Sequence, residues 1–232
     1  MWVVGARLLP LRPDGFGQVL PTPSVLRDRR LPTTDTLPPP ADGRFHSTIG
    51  PITPAVRTRI GGTYKAGCPV PLRDLRYLTV SFHGFDAKAH TGEIIMATSA
   101  APKVARAFAR LWALGFPLEQ MTLPEGSDLT APPTGDGDDT AGFVCRPARG
   151  QTRFSAHAYG LALDVNPFQN PYVKGDLVLP ELASAYVDRR WRRPGMLLAG
   201  SAAVRAFTDE GFTWGGAFRS LKDYQHLSLT GD

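Results

Sequence analysis

A chain of 232 residues is long enough for one well-cored domain of about 150–200 residues plus an extension. Its 42% hydrophobic and 20% charged residues fit a globular protein, and no apolar run approaches the roughly 20 residues that a transmembrane helix requires. The net charge of +5 rests mainly on arginine. Blocks such as Asp188-Arg189-Arg190-Trp191-Arg192-Arg193 read as a solvated basic face rather than a nucleic-acid site, because no nucleic-acid-binding motif accompanies them.

Ten of the 22 prolines fall in the first 60 residues, and neither strand nor helix periodicity organises the apolar residues there. Residues 1–60 are therefore predicted as an extended, proline-rich leader or linker, and residues 61–232 as the folded domain. The early apolar stretch WVVGARLLPLRP is broken by prolines and lacks a small-residue cleavage site, so it does not read as a secretory signal.

Arg76 to Phe82 alternates Tyr77, Thr79 and Ser81 with Leu78, Val80 and Phe82, which predicts a half-buried strand, with Glu93 to Thr98 as its neighbour. Ala101 to Leu114 predicts a helix: Pro102 suits the first turn, Val104, Phe108, Leu111 and Trp112 form an apolar stripe, and Gly115 and Pro117 stop it. A second helix is predicted from a Ser201 cap through Val204 and Phe207 to Gly211. Pro124 to Thr140 has loop composition, and its Asp136, Asp138 and Asp139 lack the spacing of a calcium loop, so a solvated turn is expected. Cys68 and Cys145 lack metal or redox spacing. Either they form one structural disulfide, which implies an oxidising compartment, or they are two buried thiols.

The chemistry concentrates in two places. In Leu161 to Val165, strand geometry sends Leu161, Leu163 and Val165 to one face and Asp164 to the other, and a carboxylate buried there needs a partner. His157, across the bend at Gly160, can fold back to share it. Near the carboxyl end, His226 to Leu229 alternates again and presents His226 opposite the leucines, with Asp223 in the turn before it. Two histidines and a carboxylate make a three-ligand set with one open position, the arrangement that catalytic zinc uses. Asp223 would stand close by as a proton carrier.

Ser155-Ala156-His157-Ala158-Tyr159-Gly160-Leu161-Ala162-Leu163-Asp164 fills every fixed position of SxHxxGxAxD. Trp214-Gly215-Gly216 and Asp223-Tyr224-Gln225-His226 resemble the WGG and DxxH elements that accompany it. By these motifs the chain resembles the D-alanyl-D-alanine carboxypeptidase and L-alanyl-D-glutamate endopeptidase zinc metallopeptidases, over about residues 65–230. The resemblance implies an α+β fold of the hedgehog/DD-peptidase kind, a small antiparallel sheet with packed helices. It implies Zn2+ held by His157, Asp164 and His226, with Asp223 as general base and acid and Arg146 supporting the carbonyl oxygen. Ser155 is expected to bind substrate or orient a ligand, or else to be a turn serine, and Trp214 either walls the cleft or plugs the core. His90 is a weaker candidate neighbour of the site, against a buried structural role.

The implied substrates are peptidoglycan stem peptides, the implied place is extracellular or the cell envelope, and a monomer is expected. Two other functions compete. A zinc-stabilised binding module would have no need of Asp223, and a mononuclear iron oxygenase, which also uses two histidines and a carboxylate, does not account for the DxxH element.

Overall fold

Alternating Leu78, Val80 and Phe82 supply the apolar face of a central strand, and the chain builds outwards from it. The computed structural model describes residues 2–147 and 152–231. The first part of the domain contains β1 (Ser47–Pro51), the short helix α1 (Pro54–Arg59), β2 (Leu75–Gly84), β3 (Ala89–Ala97), α2 (Ala101–Ala113) and β4 (Pro117–Leu118). β1 and β3 flank β2 antiparallel, with Ser47 opposite Val80 and Phe82 opposite His90, and β4 adds a short parallel pairing at His83. Leu78, Val80 and Phe82 are buried as the alternation requires.

The second part contains β5 (Ala162–Asp164), β6 (Tyr172–Lys174), β7 (Leu177–Leu179), α3 (Ala202–Thr208), β8 (Thr213–Trp214), β9 (Lys222–Asp223) and β10 (His226–Ser228). These strands form two further small sheets, ordered β5-β10-β8 and β7-β6-β9. The fold is α+β, with small antiparallel sheets and few helices. Among the described residues no helix is long and apolar enough to cross a membrane.

Both helices form as their sequences predict. α2 has Pro102 in its first turn, buries Val104, Phe108 and Leu111, and stops before Gly115 at φ +62°. Trp112 of the predicted stripe instead stacks on His83, with ring centroids 3.9 Å apart. In α3 the Ser201 side chain accepts a hydrogen bond from the Val204 amide, which satisfies one of the amides left over at a helix start. Phe108 and Phe207 meet edge to face, so the two helices share one core with Leu163 and Leu227 of the second sheet. That shared core fixes β5 and β10 relative to the large sheet.

The leader has more structure than its composition predicts. Much of it runs as extended coil, but Leu9 and Leu26 are buried and β1 lies within it as an edge strand. Its firmest anchor is Arg29, whose side chain is fully buried. The guanidinium donates to both oxygens of Glu119, at 2.7 and 2.6 Å, and to the Asp136 carbonyl at 2.8 Å, and it lies over the Phe168 ring. Isolated anchors of this kind leave no periodic pattern, which is why the segment reads as a linker.

The aspartate-rich loop is also more buried than expected. Asp136 accepts from the Trp2 indole, Asp138 from the Phe168 amide, and Asp139 from the backbone and hydroxyl of Thr122. The three carboxylates diverge to separate partners and tie the loop to the body. Burial, with Asp138 nearby, works to raise the Glu119 carboxyl, and the paired Arg29 guanidinium opposes that rise. Cys68 and Cys145 are paired in a disulfide, with Cα atoms 5.7 Å apart. Closing a separation of 77 residues stabilises the fold by about 4 kcal/mol in the chain-entropy account.

Replacing Arg29 with alanine leaves Glu119 and Asp138 buried without their cation, and breaking such a cluster costs about 3–5 kcal/mol. Urea unfolding of Arg29→Ala should show that loss. A change below 1 kcal/mol would mean that the leader is not anchored there.

Candidate metal centre

The central site is a cross-strand pair. β10 runs antiparallel to β5 with His226 directly opposite Asp164, Leu227 opposite Leu163 and Ser228 opposite Ala162. Directly opposed side chains share one face at about 4.5–5.5 Å between Cβ atoms, so burying the two leucines on one face brings imidazole and carboxylate together on the other. His226 Nδ1 stands 3.2 Å from Asp164 Oδ1.

His157 arrives from the short turn Ala156–Tyr159, which ends at Gly160 with φ +66°. A Cβ at Gly160 would also stand 2.5 Å from the Ala97 amide nitrogen, so both the backbone conformation and the space demand glycine. That turn places His157 Nε2 at 3.2 Å from His226 Nδ1 and 3.4 Å from Asp164 Oδ1. On its other side, His157 Nδ1 lies 2.8 Å from the Gly142 carbonyl. A carbonyl only accepts, so Nδ1 carries the proton and the Nε2 lone pair points into the site.

These distances test whether a metal fits. Tetrahedral ligand atoms about 2.1 Å from a zinc ion stand about 3.4 Å from one another. The three observed separations of 3.2, 3.2 and 3.4 Å match that spacing. The donor set, two imidazoles and one carboxylate with the carbonyl behind His157 fixing its tautomer, suits zinc. Burial works to raise the Asp164 pKa, but without an ion in the site protonated His157 and His226 rings outweigh it and hold the carboxyl well below the usual carboxylate range; a bound cation would take over that role when Nε2 presents its lone pair. The site therefore offers an ionised oxygen.

Asp223, Ser155, Arg146 and the trio line one cleft of about 730 Å³. Oδ1 of Asp223 and Oγ of Ser155 are buried without a hydrogen-bond partner among the described residues. A native fold leaves such atoms unpaired where something else, a ligand or water, is meant to meet them. Burial and the negative Asp164 raise the Asp223 carboxyl to about 7. Arg146 is exposed, immediately after the disulfide at Cys145, with its Nη1 near the Pro147 carbonyl at 3.3 Å.

One expectation needs correction, and one open alternative resolves to the structural role. Trp214 does not wall the cleft: it is 7% exposed, packs in the main core and donates its indole N–H to the Tyr224 carbonyl at 2.8 Å. Its neighbours explain the paired glycines. A Cβ at Gly215 would stand 2.5 Å from the Asp223 carbonyl oxygen, and one at Gly216 would enter the Trp214 ring. WGG thus seats β9 rather than binding substrate. His90 is held between Asp35 at 2.8 Å and Asp86 at 3.0 Å and is not a cleft residue, so it takes the structural role.

Other cleft residues, including Arg153, Tyr172, Leu179 and Phe16, are not legible in the sequence. Arg153 alone had a local cue, two residues before Ser155.

A family model described as D-alanyl-D-alanine carboxypeptidase matches residues 149–229, about a third of the chain and the segment that contains the trio and Asp223. The match bears out the resemblance read from the motifs. The segment is therefore similar to that family over the residues that carry the candidate site. No curated protein and no solved structure gives a significant match.

Gly160→Ala should destabilise the fold by at least about 1–2 kcal/mol from the left-handed backbone alone, before the contact with Ala97 is counted. It should also weaken metal binding, because His157 rides on the same turn. Thermal melts and zinc titration of this variant check both effects, and an unchanged affinity would detach the turn from the site.

Proposed function

We propose that the chain is a zinc-dependent peptidase that hydrolyses the peptide stems of bacterial peptidoglycan, as a D,D-carboxypeptidase or an L-alanyl-D-glutamate endopeptidase, and acts outside the cytoplasm or in the cell envelope. The observation that carries this reading is the convergence of His157, Asp164 and His226 in a cleft they share with Asp223, whose Oδ1 is buried without a hydrogen-bond partner among the described residues. The family match over the same segment supports it.

His157, Asp164 and His226 would hold the ion. When bound, zinc supplies Lewis-acid polarisation of the scissile carbonyl and acidifies water at neutral pH. Asp223 accepts the proton of the attacking water and delivers it to the departing amine nitrogen. In the metal-free site burial and the negative Asp164 raise the Asp223 carboxyl, and a divalent ion in the trio would oppose that rise; the carboxylate takes the proton as a base and returns it as an acid. The Arg146 guanidinium stabilises negative charge as it builds on the carbonyl oxygen, a contribution made only in the transition state. Ser155 Oγ offers a hydrogen bond to substrate beside the ligands. The Gly142 carbonyl keeps His157 in the tautomer that presents Nε2.

Replacement of Asp223 by asparagine should retain zinc but lose about 10²–10⁴-fold in turnover, the usual worth of a positioned acid-base group. Mass spectrometry of defined muropeptides should find loss of a terminal alanine or release of an intact stem with the wild type only. A variant as active as the wild type would remove Asp223 from the mechanism, and an inactive wild type loaded with zinc would favour a binding module.

A further inference from the structure

The cleft continues well past the trio, and its far end is closed by a segment outside the part of the chain matched to the peptidase family. The strands β9, β6 and β7 set Asp223, Tyr172 and Leu179 in one cross-strand row, and all three line the cleft. Leu177, two residues from Leu179, lies on the same face and lines it too. Two inter-strand steps of about 4.8 Å carry this row about 10 Å from Asp223, the length of roughly three residues of extended peptide.

At that distance the leader takes over. Leu11 bridges to Gly17, and the Arg12 amide donates to the Phe16 carbonyl at 2.7 Å, which makes a tight hairpin. It is fastened to the β6–β7 hairpin at two points. The Arg12 guanidinium pairs with Asp176 at the β6–β7 turn, at 3.0 and 3.2 Å, and the Gly17 amide donates to the buried Glu181 at 2.8 Å. The second seat is close: a Cβ on Gly17 would stand 2.8 Å from Glu181 Oε1 and 2.9 Å from Leu9 Cδ1. Between the two fastenings, Phe16 lines the same cleft as Leu177 and Leu179. The reactive end of the cleft is thus continuous with an end lined by Phe16, Leu177, Leu179 and Pro180, where the one carboxylate, Glu181, already accepts from the Gly17 amide.

We infer that the leader hairpin is part of the substrate site: Phe16, Leu177 and Leu179 form a distal subsite that grips an extended peptide about three residues from the reactive centre. This rests on the peptidase reading for the identity of the ligand. The floor matches a peptide whose distal residues present methyl and methylene groups, because apolar contact needs no directional partner and tolerates either backbone configuration. Binding energy gathered there selects chain length, so a stem peptide is preferred over a free dipeptide.

The test compares wild type, Phe16→Ala, Phe16→Leu and Leu11→Ala, each checked by thermal melting. Leu11 is on the same hairpin but 60% exposed, and it is not a cleft residue. The probes are a stem pentapeptide ending in D-alanyl-D-alanine and the free D-alanyl-D-alanine dipeptide. Dissociation constants are measured by calorimetry in an Asp223→Asn background, and KM and kcat in the active protein. Phe16→Ala should weaken pentapeptide binding by about tenfold, and raise KM with it, at nearly constant kcat. Dipeptide binding should not change, Phe16→Leu should recover most of the pentapeptide binding lost in Phe16→Ala, and Leu11→Ala should behave as the wild type.

Pentapeptide binding unaffected by Phe16→Ala, or equal losses on both probes, would overturn the subsite. Were the wild type to cut neither probe while the length-dependent loss persisted, the peptidase reading would fall and the subsite would stand. Cleavage insensitive to Phe16 would do the reverse, and absence of both binding and cleavage would remove the two together.

Discussion

Everything in the site depends on one strand pairing, His226 opposite Asp164. Because side chains alternate along a strand, a slip of one residue would turn the imidazole into the core and a leucine into the cleft. The register is held by what lies behind it: Leu163 and Leu227 are fully buried against α2 and α3, and reversing them would expose both. The apolar face fixes the polar one. The geometry of the trio is a by-product of core packing, so its shape does not depend on an ion.

The third member of the trio is added by a different device. His157 sits on a turn rather than a strand, and glycine at 160 lets that turn close against the Ala97 backbone while the Gly142 carbonyl fixes the ring. Two further glycines, Gly215 and Gly216, make room for Asp223 and for the Trp214 ring beneath it. Small residues do the positioning, and the reactive groups then meet at distances that suit one divalent ion.

Much of this was legible in the residues. Alternation in Leu161 to Val165 and His226 to Leu229 correctly assigned the faces, and the caps at Ser201 and Gly115 correctly ended the helices. What could not be read shares one property: it depends on single long-range contacts without periodicity. Arg29 in its carboxylate cage, the leader hairpin against Asp176 and Glu181, and the burial of Asp136 and Asp138 are of this kind. Trp214 failed for another reason. An aromatic residue beside two glycines is equally consistent with an open cleft and with a ring that needs space to be buried, and only the packing decides.

The central claim is that three side chains form one ion site, and zinc titration of the metal-free protein against a competing chelator tests it most directly. One ion should bind per chain, with His157→Ala, Asp164→Ala and His226→Ala each losing more than the about 10–100-fold that changes around a ligand shell cost. Wild-type affinity retained in any of the three, or no zinc bound by a folded wild type, would contradict the account.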